Sequence, residues 1–191
     1  MPPKAKFSRE EIISAALQLV REGGVEAVTA RELGARLGSS ARPIFTVFES
    51  MEEVLAGVKE TARALYGQYV KEGLAQTLAF RGVGMAYIRF AMQEPKLFQL
   101  LFMSEQSGAN DVEHILALID RNYDAILRSV QEPYALDRDT ADRLYRHLWI
   151  YSHGIATLCA TKVCSFTPQD VGEMLTEIFK GLLFRIKNEE A

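Results

Sequence analysis

The chain has 191 residues, 48% of them hydrophobic and 25% charged, which is the composition of a globular protein long enough for one domain or two small ones. Its net charge of -3 excludes a polybasic nucleic-acid binder, so any contact with nucleic acid has to come from a local patch. The longest strongly apolar run without Asp, Glu, Lys or Arg, Leu148 to Thr161, is broken by Ser152, His153 and Gly154 and is too short and polar to span a bilayer.

The N-terminal "MPPKAKFSREE" has no apolar run behind its basic residues, so no export signal is expected. Cys159 and Cys164 suit neither a disulfide framework nor a Cys-x-x-Cys metal pair, and a reduced, cytoplasmic setting follows.

Helix signals then follow one another along the chain. Ser8 with Glu11, Thr29 with Glu32 and Ser50 with Glu53 repeat the capping-box spacing and mark three helix starts. Behind Ser8, Ile12, Ala16, Leu19 and Val20 recur at helical spacing until Gly23-Gly24; behind Thr29 come Leu33 and Leu37, ended by Gly38. Ser40 to Val47 reads as a third short helix, and the stripe from Val54 to Tyr69 as a long fourth one, from Ser50 to about Gly73.

Further helices are expected over Gln76 to Met92, over "EPKLFQLLF" after Glu94, and over Ala109 to Val130, Asp139 to Val163 and Pro168 to Lys187. Loops are expected near Ser104 to Asn110 and Glu132 to Arg138. No segment alternates as a strand does. The fold class is all-α, with about nine helices, and the division falls between a three-helix part, 1–50, and a larger bundle, 51–191.

Two helices of about eight residues are unstable alone, because nucleation costs more than two turns return. With Leu33, Ala35, Leu37, Ile44, Val47 and Phe48 turned inward, Thr29, Arg31, Ser40, Ala41, Arg42, Phe45 and Thr46 remain outside, a face with two arginines and no carboxylate. Free helix amides attract phosphate, and an arginine fork fits guanine in the major groove. This is the layout of a helix-turn-helix; its plain alternative is a surface hairpin with solvated arginines. Residues 1–50 are slightly positive and the remainder is negative by four, which has the right sign for DNA.

The run "FSREEIISAALQLVREGGVEAVTARELGARLGSSARPIFTVFESMEEVL" resembles the N-terminal region of the TetR family of transcriptional regulators over about fifty residues. The resemblance implies that Ser40 to Val47 is the recognition helix, with Arg31, Ser40, Ala41, Arg42, Pro43 and Thr46 near bases of double-stranded operator DNA and Thr29, Arg42 and Phe45 near phosphates. Phe45 and Met51 stand where the family usually has tyrosine and lysine, which implies weaker non-specific affinity.

Helices 139–163 and 168–187 are apolar around much of their circumference, which calls for a second chain and predicts a homodimer through a four-helix interface. The family commonly dimerises this way. "EPKLFQLLF" and "WIYSHG" resemble the ligand-domain signatures of the Trp-His-Gly subgroup.

The middle helices are rich in aromatic residues and methionine, and Phe90, Phe102, Met103, Tyr123, Trp149 and His153 are read as a pocket for a hydrophobic effector; each alone also fits a plain core. His114, His147 and His153 form no metal-ligand spacing, Gly82-Val83-Gly84 follows no strand, and no catalytic set is present, so no cofactor, metal or enzymatic activity is expected. The expected function is a ligand-responsive regulator, with repression the family's commoner mode. The alternative is a helical adaptor that binds another protein through its N-terminal hairpin.

Overall fold

A computed structural model describes residues 6–104, 116 and 120–189. Among these are eight α-helices and no strand: α1 Arg9–Gly23, α2 Ala30–Arg36, α3 Met51–Leu74, α4 Ala79–Gln93, α5 Pro95–Phe102, α6 Tyr123–Tyr134, α7 Arg138–Ala160 and α8 Pro168–Glu189. The described residues are all-helical, as the sequence pattern leads one to expect.

Local chemistry sets most of the starts. The Ser8 hydroxyl accepts from the Glu11 amide at 3.1 Å while the Glu11 carboxylate accepts from the Ser8 amide at 2.7 Å, a complete capping box. Thr29 and Ser50 also accept from the amides of Glu32 and Glu53, but these carboxylates turn elsewhere, Glu32 to Arg31 and Glu53 to the Glu49 amide and Arg9. Asp137 caps α7 by accepting from the Thr140 amide at 2.9 Å, and Thr167 and Asp170 form a reciprocal pair at the start of α8.

Some boundaries differ from the sequence pattern. The helix expected from Ala109 lies outside the described residues over 109–115 and 117–119; α6 begins at Tyr123 and runs through the expected loop at Glu132 as far as Tyr134. Pro133 is tolerated in its last turn, and Ala135, at φ 52, ends it. The expected loop near Ser104 to Asn110 lies outside the described residues from 105 onward.

By contacts the chain forms two compact units, residues up to Leu65 with Glu94–Ser104, and Tyr66–Gln93 with the segment from Glu105. In the first, α1 packs on α2 and α5, burying Ile12, Ala16, Val20, Leu33, Ile44, Phe48, Val54, Val58 and Leu97. Arg21 joins α1 to the start of α5 through two hydrogen bonds to Glu94, 2.8 and 2.6 Å. In the second, α4 packs on α6, α7 and α8, with Phe90, Ile126, Leu127, Leu144 and Leu175 in the core.

The end of α3 crosses α4 backbone to backbone. A Cβ on Gly73 would lie 2.7 Å from the Gly82 carbonyl oxygen, and one on Gly82 would meet the Gly73 carbonyl. Gly82 therefore serves a helix crossing. Gly82→Ala is expected to destabilise the protein by about 1–3 kcal/mol, read from urea denaturation, because neither backbone can give way as a side chain does.

Candidate functional site

The first unit displays one polar face. Helix α2 ends in a Schellman turn, in which Gly38, at φ 64, donates to the Ala35 carbonyl and Ser39 donates to the Gly34 carbonyl at 2.9 Å. A Cβ on Gly34 would sit 2.8 Å from the Ser40 carbonyl carbon and 2.9 Å from the Ala41 amide nitrogen. The backbone entering the next segment thus rests directly on α2.

That segment is not the α-helix expected over Ser40 to Val47. It is a 3-10 turn, Ile44–Thr46, carried by amide bonds from Ile44 to Ala41, Thr46 to Pro43 and Val47 to Ile44. Pro43 brings no amide donor, and the Thr46 hydroxyl donates to the Pro43 carbonyl at 2.6 Å, which favours the tighter turn.

Thr29, Arg31, Ser40, Arg42, Phe45 and Thr46 are exposed on this face, with Ala41 and Pro43 half-buried. Leu33, Ile44 and Phe48 point inward as expected, whereas Ala35 is exposed. Arg31 pairs with Glu32 at 3.0 Å in full solvent, a weak tie. Arg42 has no ion pair or hydrogen bond among the described residues. Lys6 donates to the Ser39 hydroxyl at 3.2 Å and so adds a cation to this face. No local pattern in the sequence joins positions so far apart.

The second unit contains a cavity of about 500 Å³. Its walls are Phe80, Gly84 and Tyr87 of α4, Tyr145, Leu148, Trp149 and Ser152 of α7, Leu175, Phe179 and Leu183 of α8, and Tyr134 of α6. Phe80 meets Tyr145 edge-on at 5.7 Å, and Tyr134 meets Phe179 at 5.0 Å.

Of the six residues read as a pocket, Trp149 lines this cavity. His153 lies behind the wall, stacked on Trp149 at 5.0 Å with Nδ1 2.9 Å from the Tyr87 hydroxyl. Tyr123 stacks on Tyr145 at 6.0 Å and donates to Asp142. Phe90 is fully buried against Tyr66 and Tyr69. Phe102 and Met103 belong to the first unit, where Phe102 packs on Phe98 and Met103 is exposed.

Beneath these residues is a buried carboxyl. Asp120 accepts from the Tyr66 hydroxyl at 2.9 Å and from the Asn122 amide at 2.8 Å. Burial pushes its pKa up, and these hydrogen bonds oppose the shift. Burial, reinforced by the charge of Asp120, raises the phenols of Tyr66, Tyr87 and Tyr145 well above their usual range.

Two family models match the chain. The one described as bacterial regulatory proteins, tetR family, matches residues 12–58, and the one described as tetracyclin repressor-like, C-terminal domain, matches residues 80–182.

The chain belongs to the TetR family.

It is a DNA-binding transcriptional regulator that responds to a ligand, and TetR regulators bind operator DNA and a small-molecule effector, typically as dimers. No curated protein matches the chain. The first TetR match covers most of α1, all of α2, the 3-10 turn and the start of α3; the second covers α6 and α7 and most of α4 and α8, the helices that line the cavity. Among the described residues no helix is long and apolar enough to cross a membrane.

In this TetR regulator His153 ties cavity integrity to pH. Burial holds its pKa below the ordinary 6.5, so on acidification the unfolded chain takes up the proton first. The His153 contribution is complete above pH 6.5 and is lost as pH falls below it. His153→Gln, which keeps a partner for Tyr87, is expected to lose less stability than the parent between pH 7.5 and 5.5, compared by urea midpoints.

Proposed function

We propose that the chain is a homodimeric repressor that reads palindromic operator DNA and whose DNA affinity is altered by a small hydrophobic effector held in the cavity. The observation that carries this reading is Arg42: an exposed guanidinium with no hydrogen bond or ion pair among the described residues, on a segment propped against α2 at Gly34. A charge left free at the tip of a braced turn is available to a base edge or a phosphate. Thr29, Arg31, Ser40, Ala41, Pro43, Phe45 and Thr46 surround it. Repression is the family's commoner mode.

In functional terms residues 1–50 are the DNA-binding domain and 51–191 the ligand-binding and dimerisation domain. The stack of Trp149 on His153 supports membership of the Trp-His-Gly subgroup.

Dimerisation through α7 and α8 is supported by what these helices expose. Ile150 and Leu158 on α7 and Phe184 on α8 are 51%, 39% and 72% exposed. Gly154 sits on the same stripe as Ile150 and Leu158, and Gly181 lies one turn before Phe184; a Cβ on either would meet nothing within 4 Å. An exposed mid-helix glycine costs about 1 kcal/mol against alanine, and a second copy packed closely there gives it a purpose. Tyr145 and Ala156, apolar positions elsewhere on α7, are buried within the unit. The double change Ile150→Glu with Phe184→Glu is expected to give monomers by size-exclusion chromatography with light scattering; a persisting dimer would place the interface elsewhere.

Effector control follows if cavity occupancy changes the tilt of α3, and with it the spacing of two recognition segments about 34 Å apart in the dimer. A coupling of about 1–3 kcal/mol is typical. Arg42→Ala is expected to weaken binding to the chain's own promoter by about 1–3 kcal/mol in fluorescence anisotropy, with dimerisation unchanged. Unaltered affinity would remove Arg42 from the interface, and a parent protein indifferent to that promoter would favour a protein-binding adaptor.

A further inference from the structure

We infer that the effector is an amphipathic anion: an apolar body along the aromatic wall and a carboxylate-type head held by Arg81 and Lys180. This rests on the cavity being the effector site.

Charge at the opening carries the inference. Arg81 and Lys180 line the cavity and no Asp or Glu does. Both are exposed, while Tyr87, Tyr145, Leu148 and Ser152 on the same walls are buried, so the two cations stand where the cavity meets solvent. Arg81 is held in place by a neutral partner, its Nε donating to the Thr176 hydroxyl at 3.2 Å. That hydroxyl is itself oriented, donating to the Gly172 carbonyl at 2.6 Å. The guanidinium also occupies space that a side chain at position 172 would fill, so Gly172 makes room for it.

Neither cation forms an ion pair among the described residues, although Glu173 and Glu177 line the adjoining groove with Arg81. Lys180 follows Thr176 by one helical turn on α8, on the same face. Cations at the opening, with Arg81 held by a neutral partner, disfavour a cationic ligand and give a neutral one only ordinary hydrogen bonds, whereas charge-assisted hydrogen bonds to an anion are the stronger kind. The buried carboxyl of this unit, Asp120, offers a cation no alternative, because it is outside the cavity lining and its oxygens are taken by Tyr66 and Asn122.

The inner end has its own chemistry. Tyr145 and Ser152, 4% and 5% exposed, line the cavity from one face of α7. Hydroxyl-bearing residues on an otherwise apolar wall suit a ligand that carries a hydrogen-bonding atom there or brings a water to them.

N-phenyl-1-naphthylamine, a neutral fluorescent probe excited by energy transfer from Trp149, the sole tryptophan, reports occupancy of the cavity. Decanoate, decanol and decylammonium share one tail and differ in the head. Decanoate is expected to displace the probe at about tenfold lower concentration than decanol, with decylammonium weakest. Arg81→Met and Lys180→Met are each expected to erase most of that advantage, read as the ratio of decanoate to decanol displacement within each variant. Lys180→Met keeps the test valid if Arg81→Met disturbs the contact with Thr176. Equal displacement by the three tails, tightest binding by decylammonium, or a decanoate advantage that survives both substitutions would overturn the anionic head and leave the cavity reading standing. A probe that does not bind at all would overturn the cavity reading itself, and the inference with it.

Discussion

A single turn of 3-10 helix has almost no stability of its own, since fixing its dihedrals costs more than a few strained hydrogen bonds return. In this chain it persists because the backbone at Ser40 and Ala41 lies against the bare Cα of Gly34, and because Ile44 and Phe48 are buried beneath it. These two anchors fix the segment from opposite ends. The residues between and around them, Arg42, Phe45 and Thr46, are then free to face outward. The DNA contact proposed for this face needs rigid side-chain origins, and the rigidity comes from contacts made by residues that are not on the face.

The second unit solves a different problem. Protein interiors normally pack to crystal-like density, and a cavity of about 500 Å³ among helices departs from that norm. The aromatic side chains around it meet edge to face, as Phe80 does with Tyr145, and rings in this geometry hold the walls apart. Tyr87 is fixed from behind by His153, and Tyr145 is backed by Tyr123, which in turn donates to Asp142. The wall is thus preorganised by hydrogen bonds on its outer side. Its inner side carries Tyr145 and Ser152.

Helix starts were legible in the sequence because capping is local: Ser8 with Glu11 and Thr167 with Asp170 span three positions each. The all-helical class followed from the same short-range periodicity. Where Pro43 stands inside a short apolar pattern, periodicity suggested an α-helix, but the missing donor and the Thr46 hydroxyl tip the segment into a tighter turn. The face that the segment presents was nonetheless readable, since a turn and a helix of that length expose nearly the same residues. The cavity was much less so. Aromatic richness marked the region, yet nothing local separates Trp149 on the wall from Phe90 in the core, and the Arg81–Thr176 contact joins residues 95 positions apart.

The anionic head and the DNA phosphates carry charge of the same sign, but a screened charge acts over only about 8 Å at physiological ionic strength. Repulsion through solvent is therefore a weak way to couple the two ligands, and a mechanical route has to be sought. Gly82 lies next to Arg81 and two positions before Gly84, both of which line the cavity, and it meets Gly73 of α3 with no side chain between them. Side chains absorb small displacements by changing rotamer; two backbones in contact do not. In the proposed effector control, this backbone contact is where a shift of α4 at Arg81 would reach the end of α3.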